Sequence, residues 1–479
     1  MPTKNNSLNY FHLFCLSILY FFTRLFALTK IPVFADEAIY IRWSQIIRSV
    51  ETLRFVPLTD GKQPLYMWLL SVIIEKINDP LFAGRLISVI AGFGSLVGLF
   101  LIAKYIANYK TALIVSFLYI ILPFIFFFDR MALADNLLSM FGIWSLYLSL
   151  VVAKTKRLDF SLILGMILGL AWLTKSPAIY FIVLFLITYI LINFKKIKFY
   201  DIYLMTLPLL IAFCVYNILR LGPQFHMIAL RNKDYVHPLS EILKHPLDPL
   251  KPHLIDYFNL IFFYISLPVF FAFFAKNKYL LILCCWAFLP VISNSAIAKV
   301  FTARYILYCI PPLLIIISLG LENLLKKYKY SFLLFLFFIP NIILISNLYF
   351  RPYQVKLPSI DMGHLIGWTS GWGIKESSLY LKERSKEVNV IVGTEGYFGT
   401  LPDGLQIYTQ NTNQLTVFGV GIDIKEIPPK LIDAKNHGDE VYLLFNQSRL
   451  DIPQTELDKL TLVSQYPKPD GDKLVLYKL

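Results

Sequence analysis

Charge is scarce in this 479-residue chain: Asp, Glu, Lys and Arg together make up 16% of it, against about 25% in a soluble domain. With 57% hydrophobic residues and a positive mean hydropathy, that shortage excludes an ordinary water-soluble globule. Cysteine is also sparse. Cys15, Cys214, Cys284, Cys285 and Cys309 all lie in or beside apolar segments, none falls in the polar tail, and none has metal-ligand spacing. They read as buried apolar thiols. Internal repeats and long low-complexity tracts are missing as well. No small-residue cleavage site follows the first apolar run, "FHLFCLSILYFFTRLFAL", so it is expected to be a retained helix and not a removed signal.

What the chain does contain is a succession of apolar runs of about twenty residues, each long enough to cross a hydrocarbon core of ~30 Å. Expected spans lie near 10–28, 81–103, 110–128, 133–153, 159–175, 177–194, 200–220, 257–275, 279–297, 303–322 and 330–349. The fold class is therefore a polytopic α-helical membrane protein of about eleven spans. The stretch "PLYMWLLSVIIEKI" (64–77) is flanked by polar residues and reads as a helix lying in the interface.

The net charge of +14 raises nucleic acid as a partner, but the basic residues do not form one face. They cluster between apolar runs: Lys104 with Lys110, "KTKR" (154–157), "KKIK" (195–198), "KNK" (276–278) and "KKYK" (326–329). With an odd number of spans all five loops share the side of the N-terminus. The positive-inside rule makes that side cytoplasmic in a cytoplasmic membrane. The outer face then receives the segment 29–80, the connection before Asp135, the turn at "TKSP", the loop 221–256, the connection near Arg304 and the tail after 350. In that tail, "GIKESSLYLKER" has the pattern of an amphipathic helix, and "VNVIVGTEG" and "DEVYLLF" that of strands. The expected organisation is a membrane domain, 1–349, and a small extracytoplasmic α/β domain, 350–479.

Polar residues converging on one membrane face mark the place to look for chemistry. In "VFADEAIYIRW", Asp36 and Glu37 follow the first span and enter a short helix that also carries Arg42. As solvated loop acids they need no function; an aspartate partly desolvated at the interface gains the basicity of a general base. In "DGKQPLYMW", Gly61 and Pro64 shape a turn, Lys62 either snorkels or awaits a phosphate, and Tyr66 and Trp68 read as interfacial aromatics. Asp135 sinks into an apolar helix, which is a functional hypothesis by default, while Asp129 before it suits a helix cap. Lys175 sits in a turn that Pro177 closes, and Arg304 and Tyr305 open a late span. Arg304 can anchor a helix end, or clamp a phosphate with its planar fork. His226, Arg231, Lys233 and Asp234 form a charged outer loop that can wall such a site.

The order "ADE", "KQPLYMW", "GRLISVIAG", "ALADNLLSMF", "GLAWLTKSPA" and "ARYILYCIPP", over roughly residues 10–320, resembles the bacterial polyprenyl-phosphate-dependent glycosyltransferases. This is the superfamily of the protein O-mannosyltransferases and lipid A aminoarabinose transferases, with the GT-C fold. The resemblance implies transfer of a monosaccharide from a polyprenyl-phosphate donor to an extracytoplasmic protein, lipid or glycan, with inversion. It implies Asp36 as catalytic base with Glu37 and Asp135 positioning substrate. It also implies Lys62, and Arg304 with Tyr305, at the donor phosphate; the residues themselves add Lys175 to that surface and Arg42, Tyr66, His226, Arg231, Lys233 and Asp234 as candidate walls of the site. Gly61 stands where the aminoarabinose transferases usually have an acid, so a metal site using that acid finds no support, and a divalent metal stays an open, unsupported cofactor. The "WWDYG"-type signature of oligosaccharyltransferases is absent, which argues against en bloc transfer. The partners expected are the lipid-linked donor and membrane lipids, not nucleic acid. A polymerase or ligase of envelope glycans is the enzyme alternative, and a transporter the non-enzyme one.

Overall fold

A computed structural model describes residues 4–194, 197–328, 331–422 and 424–479. Lys195, Lys196 and Lys329 of the expected basic loops lie outside the described residues. The chain folds as two compact units, each assembled from separated stretches. The first comprises Met1–Phe26, Thr52–Leu69 and Arg85–Ser346; the second comprises Ala27–Glu51, Leu70–Gly84 and Asn347–Leu479. The division expected at 349/350 lies close to the last change of unit. The stretches 27–51 and 70–84, assigned by sequence to the membrane domain, fold with the C-terminal residues instead.

The first unit is helical because a long apolar segment has no water to satisfy its backbone and must bond internally. Among the described residues seven helices are long and apolar enough to span: Pro80–Ile106, Ala134–Thr155, Ser176–Asn193, Phe199–Leu221, Leu280–Ile297, Ala303–Lys327 and Leu333–Phe350. Two bent pairs, Tyr109–Ile121 with Pro123–Asp129 (62°) and Leu250–Tyr264 with Leu267–Phe274 (103°), raise the number to nine. Phe11–Leu25 and Leu158–Thr174 are shorter apolar helices. All eleven expected segments fall on these elements, but length and composition qualify seven to nine as spans. The 64–77 stretch forms a nine-residue helix, Leu65–Ile73, and a short turn, too short at 1.5 Å per residue to cross. Ala303–Lys327 and Ala134–Thr155 are interior, 94% and 83% buried, whereas Leu333–Phe350 at 17% is peripheral.

Polar side chains repair both helix breaks. Asn341 donates to the carbonyls of Tyr264 and Ile265 at 3.2 and 3.0 Å. Arg24 donates to the carbonyls of Ile120 and Tyr119 at 2.7 and 2.9 Å and pairs with Asp129 at 3.1 Å. Asp129 also accepts from Tyr20, Tyr119 and Asn136. It is therefore committed to this buried network and does not cap the next helix, whose N-cap is Leu133. The cysteines are less uniform than expected: Cys309 is buried, but Cys15 and Cys214 are exposed on their helices.

The second unit is built on a five-stranded sheet of order β2-β1-β3-β5-β4. The strands are β1 (Val390–Glu395), β2 (Leu415–Gly421), β3 (Glu440–Asn446), β4 (Thr461–Pro467) and β5 (Lys473–Lys478). β1 pairs in parallel with β2 and β3, and β5 runs antiparallel to β3 and β4. Val441, Leu443 and Phe445 alternate onto one face, where they pack with Leu431 and Val475. The expected helix is present as Ile374–Arg384, and the two expected strands as β1 and β3. The helix Ala35–Ser49 packs on Asp403–Thr409, with Gln45 Nε2 donating to the Ile407 carbonyl at 2.9 Å.

Candidate active site

In the first unit, a turn over Val56–Asp60 begins with Pro57 in its first turn and ends on Gly61 at φ 65°. A Cβ on Gly61 would lie 2.7 Å from the Met227 carbonyl and 2.8 Å from Arg231 Cβ, so glycine lets the helix Met227–Tyr235 approach this turn. Arg231 Nε donates to Asp60 Oδ1 at 2.8 Å, its Nη2 bonds the same oxygen, and its Nη1 reaches Asp234 at 2.9 Å. Lys62 Nζ lies 3.9 Å from Asp60 and 5.4 Å from the centre of the Tyr235 ring.

Gln63 carries the cluster onward by donating to Ser176 Oγ at 2.7 Å. The neighbouring Lys175 ends the helix Leu158–Thr174 in an extended conformation, where Pro177 opens the next turn. That geometry turns its ammonium to Asp135 Oδ1 at 2.6 Å and to within 4.7 Å of the Tyr305 ring centre. The Arg304 guanidinium lies 5.2 Å from the same ring. Asp135 is 2% exposed, in the first turn of Ala134–Thr155, where backbone N–H groups favour a carboxylate. Its Oδ2 has no hydrogen-bond partner among the described residues. Lys62, Lys175, Arg231 and Arg304 are the cations of this stretch, and such groups hold an anion through charge-assisted hydrogen bonds.

The other candidates separate. Tyr66, read as an interfacial ring, is instead fully buried, with its hydroxyl 3.2 Å from Ser88 Oγ; the apolar packing of Leu65–Ile73 turns it inward. His226 and Lys233 are exposed, and Lys233 contributes its carbonyl to Lys299.

Asp36, Glu37 and Arg42 belong to the second unit, on Ala35–Ser49. The two acids occupy its first turn and diverge by about 100°. Glu37 is fully buried and accepts from the Phe34 N–H at 3.0 Å, capping the helix. Asp36 is partly exposed. Arg42 is half-buried and faces Asp403, whose carboxyl burial pushes up to about 6 against the pull of the Gly399 N–H and Arg42. Sequence reading passed over Asp60, Gln63, Ser176 and Asp403. Only Asp60 gave a local signal, as an acid two residues before Lys62 in a glycine turn. Among the described residues no three His, Cys, Asp or Glu side chains are grouped as metal ligands.

Residues 61–218, a third of the chain, match the family described as dolichyl-phosphate-mannose-protein mannosyltransferase. No curated protein matches the sequence. The structure of ArnT from Cupriavidus metallidurans in the apo state superposes with a TM-score of 0.61 at 14% identity, covering 99% of this chain and 98% of that one. The same protein bound to undecaprenyl phosphate gives 0.60, 14%, 100% and 98%. The Archaeoglobus fulgidus oligosaccharyltransferase tethered with an acceptor peptide gives 0.50 at 12% identity, covering 91% of this chain and 69% of that one. The chain shares the fold of ArnT along nearly all its length, and within it residues 61–218 match the dolichyl-phosphate-mannose-protein mannosyltransferase family.

Proposed function

We propose that the protein is an integral-membrane glycosyltransferase that moves one sugar from a polyprenyl-phosphate donor to an extracytoplasmic acceptor, with inversion. The observation that carries this reading is the cationic cluster of Lys62, Lys175, Arg231 and Arg304, joined through Gln63 and Ser176. A similar fold binding undecaprenyl phosphate supports the same donor chemistry. Lys62 and Arg304 neutralise the departing phosphate, and Lys175 and Tyr305 complete that surface. Asp135 holds Lys175 through one oxygen and offers the other to a sugar hydroxyl. Asp36 removes the proton from the acceptor hydroxyl as it attacks the anomeric carbon, while the sugar–phosphate bond breaks and its electrons leave with the phosphate. Glu37 sets the helix from which Asp36 projects.

The test is transfer of labelled sugar from a polyprenyl-phosphate donor by purified variants, with donor binding measured in parallel. Asp36→Asn is expected to bind donor and to turn over about 10²–10⁴-fold more slowly. Lys62→Ala and Arg304→Ala are expected to raise the donor concentration required. An Asp36→Asn protein with the parental rate would rule out the base assignment, and unchanged donor dependence in both cation variants the phosphate surface.

A further inference from the structure

Lys468 is 2% exposed, and the proposed reaction makes no use of it. It follows β4 directly, and its ammonium donates to the carbonyls of Gly367 and Ser370, each at 2.8 Å, and to Asn446 Oδ1 at the end of β3. Asn446 is itself fixed: its backbone N–H and side-chain amide donate to Glu395, the last residue of β1, at 2.9 and 2.6 Å. Glu395 is 1% exposed, with the Arg449 guanidinium 3.6 Å away. Burial lowers the Lys468 ammonium to about 8, so near pH 7 it still carries the protons these bonds need.

The location sharpens the point. β1 lies between β2 and β3, so the connection from β2 to β3 crosses to its other side. Beyond the carboxyl ends of two such strands an open α/β sheet ordinarily leaves a crevice for a ligand. Here Glu395, Asn446 and Lys468 fill that place with the chain's own polar groups. What they grip is the segment 367–371. That segment pairs in turn with the residues before Asp36: the Ala35 N–H donates to the Thr369 carbonyl at 3.0 Å, and the Gly371 N–H to the Val33 carbonyl at 2.9 Å. Phe34 and Ser370 form an antiparallel bridge. Phe34 is the N-cap of Ala35–Ser49. An unbroken line of hydrogen bonds therefore runs from the end of β1 to the start of the helix bearing Asp36.

We propose that Lys468 is a positioning residue: by holding segment 367–371 it fixes the start of the Ala35–Ser49 helix and the direction of Asp36. This rests on the reading of Asp36 as the base. The test uses the full-length protein in detergent, with Lys468→Met, which keeps the unbranched side chain as far as Cε and removes the ammonium with its donors. Hydrogen exchange in peptides covering 33–37 and 367–371 is expected to accelerate at least tenfold, with β1, β3 and β5 unchanged. Turnover is expected to fall ten- to a hundredfold, with the donor KM within twofold of the parent. Unchanged exchange at 33–37, or acceleration spread over the whole sheet, would overturn the proposal whatever Asp36 does. Loosened exchange with full turnover would also overturn it. In that case an impaired Asp36→Asn protein shows that the positioning claim alone is wrong, and a fully active one that the base assignment has failed with it. If Lys468→Met does not fold, Asn446→Ser removes the Oδ1 that accepts from Lys468, together with the amide donor to Glu395, and should give the same local exchange pattern at smaller amplitude; a uniform or unchanged pattern refutes the proposal.

Discussion

Two carboxyl groups of the second unit are held in opposite ways. The Arg384 guanidinium, with Tyr442 and Lys478, keeps Glu440 down at about 2, whereas burial pushes Asp403 up to about 6. An unfolded chain releases the Asp403 proton near 3.8, so between about 4 and 6 the folded state binds it more tightly. Stability due to this group is therefore present at acid pH and lost as pH rises through that window. Asp403→Asn removes the titration and is expected to stabilise the protein at pH 7 by about 1–3 kcal/mol, with little change at pH 4. Thermal unfolding at both pH values checks it, and an equal shift at each counts against the assignment. Sequence alone put Asp36, Lys62, Asp135, Lys175 and Arg304 forward, because charges beside apolar runs are conspicuous. The pattern of residues alone did not separate Asp36 from Glu37, which only the family resemblance distinguished, since adjacent helical residues differ only in which neighbours they face. Nor could it find Gln63 and Ser176, neutral side chains that meet across 113 positions.

At the scale of the element, apolar runs announced the helices but not where they break. Pro208 and Pro290 lie inside continuous helices, whereas Pro123 starts the second piece of a broken one. The difference lies with a distant side chain. Arg24, some 95 positions earlier, supplies the bonds that the carbonyls of Tyr119 and Ile120 lack. Arg24→Met is expected to destabilise the protein by about 3–5 kcal/mol, because Asp129 is left buried without its cation. Arg24→Met with Asp129→Leu should recover part of that loss. Melting temperatures in detergent decide this, and a single variant as stable as the parent would show that the pair does not hold the break. β2, β4 and β5 escaped notice for a different reason. Their short mixed sequences have burial patterns that depend on neighbours in the sheet.

For the whole molecule, the proposed orientation makes a direct prediction. In a background lacking the native cysteines, Glu387→Cys, at an exposed position of the second unit, should react with an impermeant maleimide in intact cells. Thr155→Cys, at the end of the helix Ala134–Thr155 between Lys154 and Lys156, should react only after permeabilisation. The reverse pattern would invert the topology. A membrane domain and a C-terminal α/β domain could be read from composition, which changes near 350. That 27–51 and 70–84 fold with the latter could not, because hydropathy carries no information about partners hundreds of residues away. This arrangement bears on how the protein is made. Gln45 meets Ile407 across 362 positions, so at about 5–20 residues per second the early helix waits roughly 20–70 s for its partner. For most of that interval the ribosome is still producing the membrane helices, the last of which ends at Phe350. The segment bearing Asp36 is synthesised near the beginning yet acquires its final setting after those helices exist. On the positioning proposed above, a nascent chain halted before Lys468 would carry the acid without the side chain that holds its scaffold.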